Sequence, residues 1–189
     1  SLLDEGITLL QKPFSIGARI EHPQSLINRA QYGAAADHSA LGAADYKLAL
    51  HLPSGRSVYT FCMCPGGTVV AAASEKDSVV TNGMSYYARD GVNANSALLV
   101  GVGPENFGSD HPLAGMFLQR RIEQKAFVLG GRTGCAPCQT IGDLLAGRAS
   151  GGLGEVQPSY KPGVVPCDLS ELLPAPLIGA MREALPRLG

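Results

Sequence analysis

Two kinds of residue in this sequence could do chemistry: five cysteines, and a run of uncharged hydrogen-bonding side chains. Cys62 and Cys64 stand one residue apart in Tyr59-Thr-Phe-Cys-Met-Cys-Pro-Gly-Gly67, and Cys135-Ala-Pro-Cys138 is a C-x-x-C pair. With Cys167 they offer thiolates for zinc, an iron–sulfur cluster or a dithiol redox step. The plainer reading is a set of small buried thiols, as free cysteines commonly are. C-x-C is not the usual zinc-knuckle spacing, and no βαβ pattern precedes the C-x-x-C.

The second group is Asn82, Gly83, Met84 and Ser85, then Asn93, Asn95 and Ser96. Such a run suits the polar edge of a ligand, and it equally suits a tight turn. Gly66 and Gly67 have no Cβ and allow a backbone or flat ring to come close. Arg19, His22 and Arg89 are candidates for anion or carbonyl contacts. The alternative for Arg19 is a pair with Glu21, and for His22 a structural role. His38, His51 and His111 lack ligand spacing. Gly101-Val-Gly103 follows an apolar run, but Asn106 takes the third glycine's place and Pro104 intrudes, so no dinucleotide fingerprint is present.

The elements that position these residues follow from periodicity. Residues 14–20 alternate and read as a strand, and Pro23 opens a helix through about Gln31 that stops at Gly33. Residues 33–44 read as a mobile loop. Strands are expected over 46–52 and 57–61 around a Pro53-Ser-Gly-Arg56 turn, then over 68–73, 79–81 and 96–102. A helix capped at Ser109-Asp110 runs to Leu129, and shorter ones fit 140–146 and 177–185. Residues 148–166 read as irregular. The sum is one α+β domain over 1–189, with an antiparallel or mixed sheet, closed into a barrel or open, and packed helices.

The net charge is −1, with 16% charged residues and no basic run. That disfavours nucleic acid as a partner. The apolar run 97–102 is far shorter than the roughly 20 residues of a membrane span. Cysteines without a signal peptide suggest the cytoplasm. The chain opens on Ser-Leu-Leu and stops at Leu188-Gly189, which reads as an excised piece of a longer protein; a trimmed tag or processed end would look the same.

Taken together, 14–23, 59–75, 80–95, 108–129 and 139–145 resemble bacterial FAD-dependent dehydrogenases of undefined substrate. Gln157-Pro-Ser-Tyr160, Pro162-Gly163 and Leu169-Ser-Glu-Leu-Leu-Pro174 extend the likeness. Cys135 departs from the pattern, in which Ala-Pro-x-Gln is the recognisable part. The resemblance implies a substrate or cap domain inserted between segments of an FAD-binding domain. FAD would then belong to the full-length protein. Partners would be the missing FAD-binding domain and a small-molecule substrate, with self-association through the uncovered face. Flavin- or substrate-facing residues would be Arg19, His22, Cys62, Cys64, Gly66, Gly67, Asn82, Gly83, Met84, Ser85, Arg89, Asn93 and Asn95. The other reading is a thiol or metal module built on Cys62, Cys64, Cys135, Cys138 and Cys167. A phosphate-binding helix start is missing from the pattern, so a preparation of these 189 residues is expected to lose FAD during purification. An absorbance spectrum checks this, and stoichiometric flavin would overturn it.

Overall fold

The computed structural model describes residues 4–188. In chain order the elements are β1 (Phe14–Pro23), α1 (Gln24–Tyr32), β2 (Ala49–His51), β3 (Ser57–Cys64), β4 (Gly67–Ala71), β5 (Thr81–Ser85) and β6 (Asn93–Val102). Then follow α2 (Ala114–Leu129), β7 (Ala136–Cys138), α3 (Ile141–Ala146), β8 (Val164–Pro166) and α4 (Ala175–Ala184). The fold is α+β. Its main sheet is antiparallel in the order β1-β6-β3-β2 and is open, not a barrel. A β4–β5 hairpin and a short parallel β7–β8 pair complete the strands.

The core follows from strand parity. Leu98, Val100 and Val102 alternate along β6 toward one face, where Val58 of β3 joins them. That face packs on Phe107, Leu118, Leu144, Leu177, Ile178 and Met181. The stripe Leu177, Ile178, Met181, Ala184 recurs at helical spacing, so α4 buries one side against the sheet. A second cluster of Val69, Val79, Ala126, Ala136 and Tyr160 lies under β4 and α2. Leu172 packs against both clusters.

Several sequence expectations shift. Residues 82–85 form a strand rather than a polar loop, because β5 pairs residue for residue with β4 from Gly67↔Ser85 to Ala71↔Thr81. Asn93, Asn95 and Ser96 likewise lie in β6 and not in a turn. Pairing with β3 takes only Ala49–His51 from the 46–52 stretch. The helix expected from Ser109 begins at Ala114; the Ser109 hydroxyl accepts from His111 N at 3.1 Å in a turn before it. The far end of the 33–44 loop is anchored, since Ala44 is buried and its N–H donates to Asn28 Oδ1 at 3.0 Å. The short helix expected over 140–146 is α3, and Thr140 caps it by accepting from Asp143 N at 3.2 Å.

β1 and β6 meet most tightly at Gly17, where a Cβ would stand 1.8 Å from the Leu98 carbonyl oxygen. Gly17→Ala therefore forces the two strands apart. It is expected to destabilise the protein by about 2–3 kcal/mol, measured by urea unfolding. An unchanged midpoint would contradict the close approach.

Candidate functional site

Arg19 is the centre of a polar cluster on the sheet face opposite the helices. On β1 it stands across from Ala97, which makes Asn95 its diagonal neighbour on β6. One guanidinium nitrogen donates to Asn95 Oδ1 at 2.8 Å and to the Cys62 carbonyl at 3.4 Å, and the other to Asn82 Oδ1 at 3.2 Å. Glu21 is not its partner. The Glu21 carboxylate instead accepts from Asn93 Nδ2 at 2.9 Å and from Ser159 N at 3.1 Å.

A bulge in β3 brings Cys64 to the same place. Phe61 pairs with Ala97 and Cys64 with Asn95, so three steps on β3 match two on β6. The extra residue is Cys62, left-handed at φ 51°. Without it, Phe61 and Cys64 would face opposite ways. With it, Cys64 turns inward and is buried, while Cys62 is exposed. The Cys64 thiol donates to the Cys62 carbonyl at 3.3 Å. On an extended strand two residues spaced as Cys62 and Cys64 would share a face; the bulge is what parts the two thiols.

The Pro65-Gly66-Gly67 turn is held by close approaches. Gly66 has φ 51°, and a Cβ there would lie 2.0 Å from the Arg89 carbonyl oxygen. Gly66 N–H donates to Gln24 Oε1 at 2.8 Å, and Gln24 Nε2 donates to the Ala44 carbonyl at 2.8 Å. Across the hairpin, a Cβ on Gly83 would sit 2.1 Å from Asn95 Oδ1 and 2.4 Å from an Arg19 terminal nitrogen. The strand carrying Gly83 thus lies directly against the Arg19–Asn95 contact.

Arg19, Cys62, Cys64, Asn82, Gly83 and Asn95 therefore converge, with Gly66, Gly67 and the Arg89 backbone beside them. Met84 is exposed and Ser85 pairs with Gly67 at the hairpin's end. Arg89 is exposed and left-handed at φ 52°, and its place is set by backbone contacts. Asn93 anchors Glu21 and the Gln157 carbonyl, the latter at 2.8 Å. His22 has the opposite strand parity from Arg19, and its Nε2 meets the Tyr46 hydroxyl at 2.8 Å. Tyr46, Gln24 and Glu21 were not legible as site residues; only the fold gives them partners.

Electrostatically the cluster is a cation among neutral oxygens. Burial lowers the Arg19 pKa from its usual value, and Cys64 and Cys62 pull it back up. Among the described residues no carboxylate lies within ion-pair distance of Arg19. Two buried donors, Arg19 Nε and Asn95 Nδ2, have no acceptor there. Burial raises the Cys64 thiol, and it pushes Cys138 up to about 11 and raises Cys167. Such thiols stay protonated at neutral pH and are poor metal ligands. Among the described residues no group of three or more His, Cys, Asp or Glu could hold a metal ion, so the thiol or metal module gains no support.

These residues suit one part of FAD and not another. In its chemistry, a half-buried guanidinium among neutral oxygens suits the carbonyl-bearing edge of a flavin ring. A pyrophosphate finds no comparable place at Gly101-Val-Gly103: a Cβ on Gly103 would lie 2.4 Å from the Glu105 carboxylate, and the turn runs into a three-residue helical segment.

Comparison with known proteins places the chain in an FAD-associated family. Residues 13–189 match the family described as FAD-dependent protein, C-terminal domain-like. The chain belongs to that family. It is also 51% identical over 185 residues to an uncharacterized protein of Clostridium beijerinckii, covering 97% of this chain and 35% of that relative. The chain thus spans about a third of the relative's length. Among the described residues no helix is long and apolar enough to cross a membrane.

His22 gives the site a pH signature. Burial depresses its folded pKa below the usual 6.5, so below about 6.5 the unfolded chain binds a proton that the folded chain refuses. Stability is retained above that value and falls as pH drops toward the folded pKa, where the loss levels off. Urea midpoints at about pH 7.5 and about pH 5.5 should therefore lie further apart in the wild type than in His22→Gln. Equal gaps would show that His22 titrates normally.

Proposed function

We propose that this chain is the substrate or cap domain of a bacterial, cytoplasmic FAD-dependent oxidoreductase of the dehydrogenase type. It lies over the flavin held by an FAD-binding domain of the same polypeptide and positions a small-molecule substrate. The observation that carries the reading is Arg19: a half-buried guanidinium with neutral oxygen ligands and an unpartnered Nε, beside the unpartnered Nδ2 of Asn95. A cation so placed favours an electron-rich carbonyl or a developing negative charge. When bound, FAD supplies two-electron transfer. The protein's part is to bind, orient and exclude water. Arg19 would face the polar edge of the ring or substrate, with the buried Asn95 holding its guanidinium. Asn82 and the Cys62 carbonyl hold the guanidinium in place, and Gly66, Gly67 and Gly83 keep the backbone close.

The surroundings support a covered surface. Phe61, Met84, Tyr86, Tyr87 and Val92 are exposed on β3, β5 and the segment leading to β6. β3, β5 and β6 are neighbours in the fold, and large apolar side chains exposed together mark an interface. The FAD-binding domain is the partner proposed for it; without that domain, copies of this chain would associate through the same side chains. Five unpaired cysteines fit a reducing compartment.

Arg19→Gln in the full-length protein tests the reading. Loss of a nearby positive charge should lower the reduction potential of bound flavin and alter its absorbance, while the FAD content stays near wild type. The measurements are a redox titration and a spectrum of each protein. A potential and spectrum both equal to wild type, in a folded flavinated variant, would place Arg19 away from the flavin.

A further inference from the structure

β1 has one open side. It is an edge strand, pairing with β6 alone in its sheet. Among the described residues no backbone–backbone hydrogen bond outside that ladder uses Phe14–Pro23. An antiparallel strand turns the N–H and C=O of every second residue away from its partner, so roughly half of these residues present unpaired backbone groups outward.

A cavity of about 700 Å³ runs along that side. Its position follows from its lining, since all ten residues of β1 border it. Successive residues on a strand face opposite ways. A cavity over one face would touch alternate residues only. Contact with every residue places this one beside the strand, level with its backbone. All ten are half-buried without in–out alternation, as that geometry requires. Opposite β1 stand Ile122 and Ala126 of α2, residues 136–141 and the 152–156 loop; Leu172, Leu173 and Met181 add apolar surface.

We propose that this slot receives an additional β-strand, contributed by polypeptide of the same protein outside these 189 residues. An extended segment satisfies a row of backbone donors and acceptors, which an apolar small molecule cannot do. Its alternate side chains would enter the apolar part of the slot. In the Clostridium beijerinckii relative the matched region is 35% of the chain, leaving roughly two thirds outside it. Such a segment acts in cis, and tethering raises its effective concentration. The inference rests on the strand's open edge and does not depend on whether Arg19 faces flavin.

Hydrogen–deuterium exchange on the full-length protein, resolved to single amides along β1, tests it. Consecutive amides from Ser15 to His22 should all be protected, the outward ones by at least about 100-fold over an unstructured chain. A repeating pattern of slow and fast amides at every second residue means that the edge is still open and overturns the proposal. So does protection that coincides with a stoichiometric apolar molecule, other than flavin, released on denaturation in native mass spectrometry. Absorbance of the same sample separates the two readings. Continuous protection without flavin sinks the flavin assignment and leaves the added strand; alternation in fully flavinated protein does the reverse.

Discussion

A guanidinium leaves water at a cost unless its N–H groups find oxygens, and the chain from Cys62 to Asn95 is arranged to supply them to Arg19. Its ligands come from three strands that meet only in the folded state: Asn95 from β6, the Cys62 carbonyl from β3 and Asn82 from β5. None is charged. A carboxylate would neutralise the cation and close the site. Neutral oxygens hold its geometry and leave its charge available.

Backbone irregularity is what lets those strands converge. The bulge at Cys62 rotates Cys64 onto the face of Asn95, and the left-handed turn at Gly66 redirects the chain into the hairpin that presents Gly83 and Asn82. These conformations need outside support. Gln24 gives it from α1, with Oε1 on the Gly66 amide and Nε2 on Ala44 and Asn28. The thiols are by-products of this packing. Cys64 sits where a small, weakly polar side chain fits beside Asn95 and Gly83, and burial keeps it protonated.

The elements written in local signals were legible: the alternation of β1, the Pro53–Arg56 turn, the short helix over 140–146 and the apolar run of β6. β5 was not. Its Thr-Asn-Gly-Met-Ser sequence has neither β-branched density nor apolar alternation, and it is a strand because β4 lies beside it. The site divides the same way. Arg19, Cys64, Gly83 and Asn95 could be named from residue type, yet their convergence depends on a one-residue register shift that no local pattern encodes. The expected Arg19–Glu21 alternative failed because Ser159, far along the chain, claims the carboxylate. Gln24 and Tyr46 carried no signal, as their roles are defined by partners distant in sequence.

Two unfinished features of the domain lie on one strand. β1 carries the Arg19 side chain on its face, with a buried donor lacking an acceptor, and a run of unpaired backbone groups on its edge. A buried polar group without a partner costs on the order of 1–3 kcal/mol, and natural sheets seldom leave a long edge bare. Scattered over the surface, such groups would be independent local costs. Concentrated on β1, they are coupled through a rigid ladder with β6, whose register fixes Arg19 against Asn95 and the edge against the slot. A displacement of β1 at its edge would therefore be felt at the Arg19–Asn95 contact. The sheet thus has a physical route by which whatever completes its edge also bears on the position of the Arg19 guanidinium.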